Sequence, residues 1–251
     1  MNEHIVKSYE DELNTLTAEC TGMGGLTESQ VADAILAVVK RDQDLATSVV
    51  GRDDRLDTAQ MDIERKAIRL IALRQPMAND LRRTVAAMKI AMNLERCGDL
   101  AKNIAKRTLV IIEAEPMTPL TRSIERMGKL VVNRLTSVLD AYTRSDLDRA
   151  LAVWSQDDEV DEHYNSLFRE LLTYMMESPQ NITPCTHLLF VAKNIERMGD
   201  HATNIAENVV FMIRGEAPTD RRPTGDDSSS VTLVKPDAEG GRPGPASGAN
   251  A

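Results

Sequence analysis

Apolar residues recur at three- and four-residue steps through most of the chain, the spacing that lays a single stripe along a helix. Ile90, Leu94, Cys97, Ala101 and Ile104 make one such stripe, and Ile195, Met198, Ala202, Ile205 and Val209 make another. Polar or proline-bearing stretches interrupt the pattern at 41–44, 75–76, 115–119, 144–146 and 178–184. Thr183 before Pro184 reads as an N-cap with proline at the first helical position. Ser145, ahead of Asp146 and Asp148, reads as another helix start. Between these breaks the pattern predicts three long helices, then three more, joined by turns short enough to make neighbours antiparallel.

The two stripes belong to a repeat. MNLERCGDLAKNIA (92–105) is echoed by KNIERMGDHATNIA (193–206), which pairs Glu95 with Glu196 at an offset of 101 (196 − 95). GRDDRLD (51–57) is echoed by SQDDEVD (155–161) at an offset of 104 (157 − 53). The same 104 pairs Met23-Gly24 with Met127-Gly128, Leu26 with Leu130, Asp42 with Asp146 and Val49 with Val153. A three-residue indel between the two motifs reconciles the offsets. The expected fold is therefore all-α: two tandem antiparallel three-helix bundles, six helices in all, produced by internal duplication. Repeat 1 occupies residues 1–115 and repeat 2 residues 116–216. From 217 to 251 the composition turns to Pro, Gly, Ser and Asp with only a short VTLV interruption, which predicts a disordered tail.

Composition narrows the function classes. Aromatics are only 3% of the chain, so Leu, Ile, Val, Ala and Met must build the core, as suits packed helices better than a β-sandwich. A net charge of −9 with so few aromatics lacks both the cations and the stacking platforms that nucleic acid requires, so no nucleic-acid partner is expected. Cys20, Cys97 and Cys185 have no CxxC spacing and lie in helical stretches, so they read as small buried hydrophobes in a reducing compartment. The first residues hold no apolar signal-peptide core, and no apolar run approaches the ~20 residues that span a bilayer. A cytoplasmic protein that meets membranes only through partners is the expectation.

Four acidic pairs stand at i, i+4: Asp53 with Asp57, Glu95 with Asp99, Asp157 with Asp161, and Glu196 with Asp200. Four helical residues turn about 40° and rise about 6 Å, so the carboxylates of each pair share a face. Like charges so placed repel unless a hard cation sits between them. All-oxygen ligation suits Mg, Ca, Mn or ferric iron better than a soft metal. Gly98 and Gly199, each just before the second carboxylate, suggest a close approach by another element, because glycine inside a helix costs about 1 kcal/mol relative to alanine. Asn103 and Asn204 lie one turn further along the polar stripe. The apolar stripe of each third helix runs roughly opposite its acids, so a surface or groove site shared with the second helix is expected. His201, next to Asp200, reads as solvent-facing, and no Glu-x-x-His signature of di-iron bundles accompanies the acids.

The paired E-R-x-G-D-x-x-x-N-I segments, the upstream DDxxD of each copy and RQPMANDLRRT (74–84) together resemble the PhoU family of phosphate-signalling regulators. The resemblance runs from about residue 3 to about residue 215. It implies multinuclear metal clusters, one held by Asp53, Asp57, Glu95 and Asp99 and the other by Asp157, Asp161, Glu196 and Asp200. The implied metal ions are iron, magnesium or manganese, with zinc as a further candidate. It also implies a negative regulator of the phosphate-starvation response and of phosphate uptake, a homodimer that links the phosphate ABC transporter ATPase to a sensor histidine kinase. No catalytic residue is expected, so the chain reads as an adaptor and not an enzyme. The competing reading is a carboxylate-bridged metalloenzyme, a hydrolase or oxidase; the blandest is a helical scaffold with solvated acids. Arg82, in the NDLRR stretch that has no echo in the second copy, is expected to complete a helix start.

Overall fold

The computed structural model describes residues 2–156 and 158–218. Asp157 and nearly all of the expected tail lie outside the described residues. Every regular element among those described is helical: α1 (Asn2–Lys40), α2 (Gln43–Arg52), α3 (Asp54–Arg74), α4 (Asn79–Ile111), α5 (Thr118–Arg144), α6 (Leu147–Ser155), α7 (Asp158–Glu177) and α8 (Ile182–Arg214). One 3₁₀ turn, Pro179–Asn181, precedes α8. The all-α, twice-repeated architecture is as expected, with one correction: the middle helix of each repeat is in two pieces, α2–α3 and α6–α7. In the first repeat the break falls on Asp53, where the amide of Leu56 reaches back to the Asp53 carbonyl at 2.9 Å and the Asp57 amide bond to it lengthens to 3.4 Å. The turn tightens locally, and the Asp53 carboxylate at this break is buried.

The turns repeat as the sequence does. Arg41 and Ser145, 104 positions apart, both adopt the left-handed conformation (φ 57° and 52°). The next residue caps the following helix in each case. The Asp42 carboxylate accepts from the Leu45 amide at 2.9 Å and that of Asp146 from the Arg149 amide at 3.1 Å, each worth about 1 kcal/mol. The α6 start is therefore Asp146, not Ser145, because a carboxylate at the N-cap reaches the free amide while Ser145 turns the chain. Thr183-Pro184 does not open α8 either. Ser178 caps the 3₁₀ turn through the Gln180 amide, and the helix runs on from Ile182.

The two bundles do not keep separate cores. One continuous apolar cluster runs through both, built of Leu, Ile, Val, Ala and Met from α1 to α8. The α4–α8 pair forms the most extensive helix contact and α1–α5 joins the repeats on the other side. Alanines along these faces (Ala86, Ala87, Ala91, Ala101, Ala192, Ala202, Ala206) are buried, and small side chains let the axes approach. Asn93 meets His201 and Arg107 meets His187, so α4 and α8 are antiparallel. Across α1–α5, Gly24 faces Leu139 and Gly128 faces Ile35. These are one contact made twice with exchanged roles, since 104 positions separate both the glycines and the branched residues. The repeats are thus related by a pseudo-two-fold axis. All three cysteines are free and buried, as expected, and burial pushes the thiols of Cys20 and Cys97 up to about 12. No described helix is long and apolar enough to cross a membrane.

Candidate functional site

In the first repeat the α2–α3 break and the middle of α4 bring Asp53, Asp57, Glu95 and Asp99 into one another's electric field. Burial, then the neighbouring Asp53 and Asp99, hold the Asp57 carboxyl above its ordinary range. Burial, then Asp99, does the same for Glu95. The cluster lies deeper than a single helical wheel suggests. Asp53 is only 2% exposed, because α1 closes over it as a third wall, which a pairwise view of α3 and α4 omits.

That third wall brings residues that lie outside the acidic pairs. Gln30 of α1 donates through Nε2 to Asp53 Oδ1 at 3.1 Å and to the Gly98 carbonyl at 3.4 Å. Lys102 of α4 pairs through Nζ with Asp53 Oδ2, and this bond, the largest cause, raises the Lys102 pKa. Both oxygens of the most buried carboxylate are therefore engaged by the protein itself. The signal was present in the sequence: Gln30 follows Thr27 and Met23 on the buried stripe of α1, and Lys102 lies one turn beyond Asp99 on the acidic face.

Gly98 exists because α3 crosses closely, as expected of it. A Cβ there would overlap Leu56 Cδ1, whereas a Cβ on Gly199 would meet only Arg134 Nη1 at 3.7 Å and the Val160 methyls at 3.8 Å. Val160 is the counterpart of Leu56, and its smaller side chain leaves that room.

The second repeat gathers Glu196, Asp200 and Asp161, with Asp157 outside the described residues. Glu196 and Asp161 are 5% and 8% exposed, again deeper than a surface groove. Burial raises the Glu196 carboxyl to about 7, opposed by Lys193, whose Nζ donates to Oε1 at 2.9 Å. Its other oxygen, Oε2, is buried without a hydrogen-bond partner. Arg134, 5% exposed, comes from α5 to lie beside Gly199.

Other singled-out residues separate from these clusters. His201 does not face open solvent: its Nδ1 lies 2.9 Å from Asn93 Oδ1 and ties α8 to α4. Asn103 is exposed and Asn204 half-buried. Arg82 does complete the start of α4 through Asn79 Oδ1, and its guanidinium also packs against Gly215 at the end of α8, where a cation suits the helix dipole.

Among the described residues, no three His, Cys, Asp or Glu side chains are grouped so as to hold a metal ion. The two clusters differ in how they would receive one. In the first, Gln30 and Lys102 occupy Asp53, and the donor set does not fit an ion. In the second, Lys193 holds Glu196 Oε1, while Oε2 stays without a hydrogen-bond partner near Asp161 and Asp200, and a hard cation would enter there.

The fold and its two carboxylate clusters define a class of duplicated helical-bundle proteins with acidic pairs at each three-helix junction. Similarity gives that class a family. The PhoU domain profile matches residues 21–108 and 124–209, so the chain belongs to the PhoU family. It is 68% identical over 223 residues to the phosphate-specific transport system accessory protein PhoU homolog of Caulobacter vibrioides (strain NA1000 / CB15N), covering 89% of this chain and 97% of that protein. The protein of the same name from Rhizobium meliloti (strain 1021) is 48% identical over 231 residues, 92% of this chain and 98% of that one. The crystal structure of PhoU from Pseudomonas aeruginosa aligns with a TM-score of 0.80 at 36% identity, covering 83% of this chain and all of that one.

Proposed function

We propose that this chain is an accessory regulator of phosphate-specific transport that acts in the cytoplasm as an adaptor and represses the phosphate-starvation response when phosphate is plentiful. Its partners in this reading are the ATPase of the phosphate ABC transporter and a phosphate-sensing histidine kinase, and it works as a homodimer. The observation that carries the reading is the similarity over both repeats to a relative named as an accessory protein of that transport system, 97% of which the chain covers. The pseudo-two-fold scaffold suits the role, since it presents two related faces. The metalloenzyme reading has no comparable support: Asp53, the most buried carboxylate, is engaged by Gln30 and Lys102.

Any metal ion would be held by Glu196, Asp161 and Asp200, together with Asp157. Iron, magnesium or manganese suits these oxygens better than zinc. The test is deletion of the gene and complementation. A phosphate-starvation reporter should rise in phosphate-replete cells without the protein and fall again when it is restored, and the purified chain should retain the transporter ATPase and the kinase. Unchanged reporter output after deletion would remove the regulatory reading.

A further inference from the structure

The first carboxylate cluster departs from the metal-binding pattern its motif implies, and Lys102 is the reason. Its ammonium pairs with Asp53 Oδ2 while Gln30 takes Oδ1 at 3.1 Å. A divalent ion entering here would have to displace both from a carboxylate that is 2% exposed. It would also be left beside the ammonium, on the same helix face as Glu95 and Asp99. An ammonium is a compact point charge with three donors, well matched to a junction of carboxylates.

The second repeat argues the same point by contrast. At the position of Lys102, offset by 101, stands the neutral Thr203, whose hydroxyl bonds the Gly199 carbonyl of its own helix at 3.2 Å. At the position of Gln30, offset by 104, stands the buried cation Arg134. The first junction therefore holds Lys102 of its α4-type helix on Asp53, whereas the second holds Arg134 of its α1-type helix together with Lys193 of α8, which pairs with Glu196. Bonded to a carboxylate that is 2% exposed, Lys102 belongs to the charge balance of the junction and is not stray surface charge.

We propose that Lys102 is the resident cation of the first carboxylate cluster and keeps metal ions out of it. The inference concerns the first repeat alone and holds whether or not the second takes metal.

The test uses the full chain, stripped with chelator, with Mn²⁺ as the probe. On an E196Q/D200N background, which removes two second-repeat carboxylates, metal counting should find no bound Mn²⁺ that depends on the first cluster. Adding Lys102→Gln should create at least one Mn²⁺ site per chain, at least tenfold tighter than any first-cluster binding with Lys102 present, and D53N should abolish it. Far-UV circular dichroism checks that each variant is folded. Should that background not fold, the wild type and K102Q are compared directly, and the count should rise by at least one. Mn²⁺ bound at the first cluster with Lys102 in place, or no gain on K102Q, overturns the proposal.

Discussion

Gln30 and Arg134 occupy equivalent positions in the two repeats, are 4% and 5% exposed, and face Gly98 and Gly199 respectively, yet one is a neutral amide and the other a permanent cation. Removing a buried cation from among carboxylates leaves uncompensated charge, which costs far more than losing a neutral hydrogen bond. Arg134→Gln, which copies the first repeat without its Lys102, is expected to destabilise the chain by about 2–4 kcal/mol. Gln30→Met should cost about 1–2 kcal/mol. Urea denaturation of both variants measures the difference, and equal losses would mean that Arg134 acts through packing alone.

The two motif glycines should respond to alanine in opposite directions. At Gly98 the new methyl group overlaps Leu56, which is itself 1% exposed and has little room to move. Overpacking of this kind costs about 1–3 kcal/mol, against a helix-propensity gain of about 1 kcal/mol. Gly199→Ala meets only ordinary contacts and should keep most of the gain, raising the melting temperature by about 2–4 °C. Calorimetry on both variants decides, and a shift of the same sign in each would show that Leu56 is not what excludes a side chain.

The α1–α5 crossing should show coupling between Gly24 and Leu139. A Cβ on Gly24 would lie 2.6 Å from both Leu139 methyls. Gly24→Ala should therefore be destabilising alone and better tolerated in a Leu139→Ala background. The double-mutant cycle is expected to give a coupling of about 0.5–2 kcal/mol. Additive losses would place the two residues out of contact.

His187 supplies a pH dependence. Burial first, and then the Arg107 guanidinium 3.5 Å away, lower its pKa below the usual histidine value of 6.5. The unfolded chain therefore binds a proton at a higher pH than the folded one. The stability attached to neutral His187 is fully present above 6.5 and is lost as the pH falls through the lower folded value. His187→Asn should flatten this part of the stability profile. Thermal melts of both proteins between pH 5 and 7.5 provide the check, and parallel profiles would count against it.

The one-dimensional pattern was enough to determine what depends on nearest neighbours along a helix or on repetition of the chain. The helical class, the duplication at offsets 101 and 104 and the turns at 41–44 and 144–146 are of this kind, because a 3.6-residue stripe and a polar break in it are local facts. The pairing of acids four apart was equally legible. Tertiary structure decided what those acids meet. Periodicity ranks positions around one helix axis but says nothing about a third helix closing over the seam, so Asp53, Asp161 and Glu196 looked like groove residues and are buried. For the same reason Gln30 and Lys102, 72 positions apart (102 − 30), share no motif and converge on one carboxylate only when α1, α3 and α4 pack together. The split of the middle helix at Asp53 coincides with the point where Gln30 and Lys102 meet its carboxylate. The merging of two predicted bundles into one core arises in the same way, because α4 and α8 each carry buried small residues on a face that their own bundle leaves open and that only the other repeat can cover.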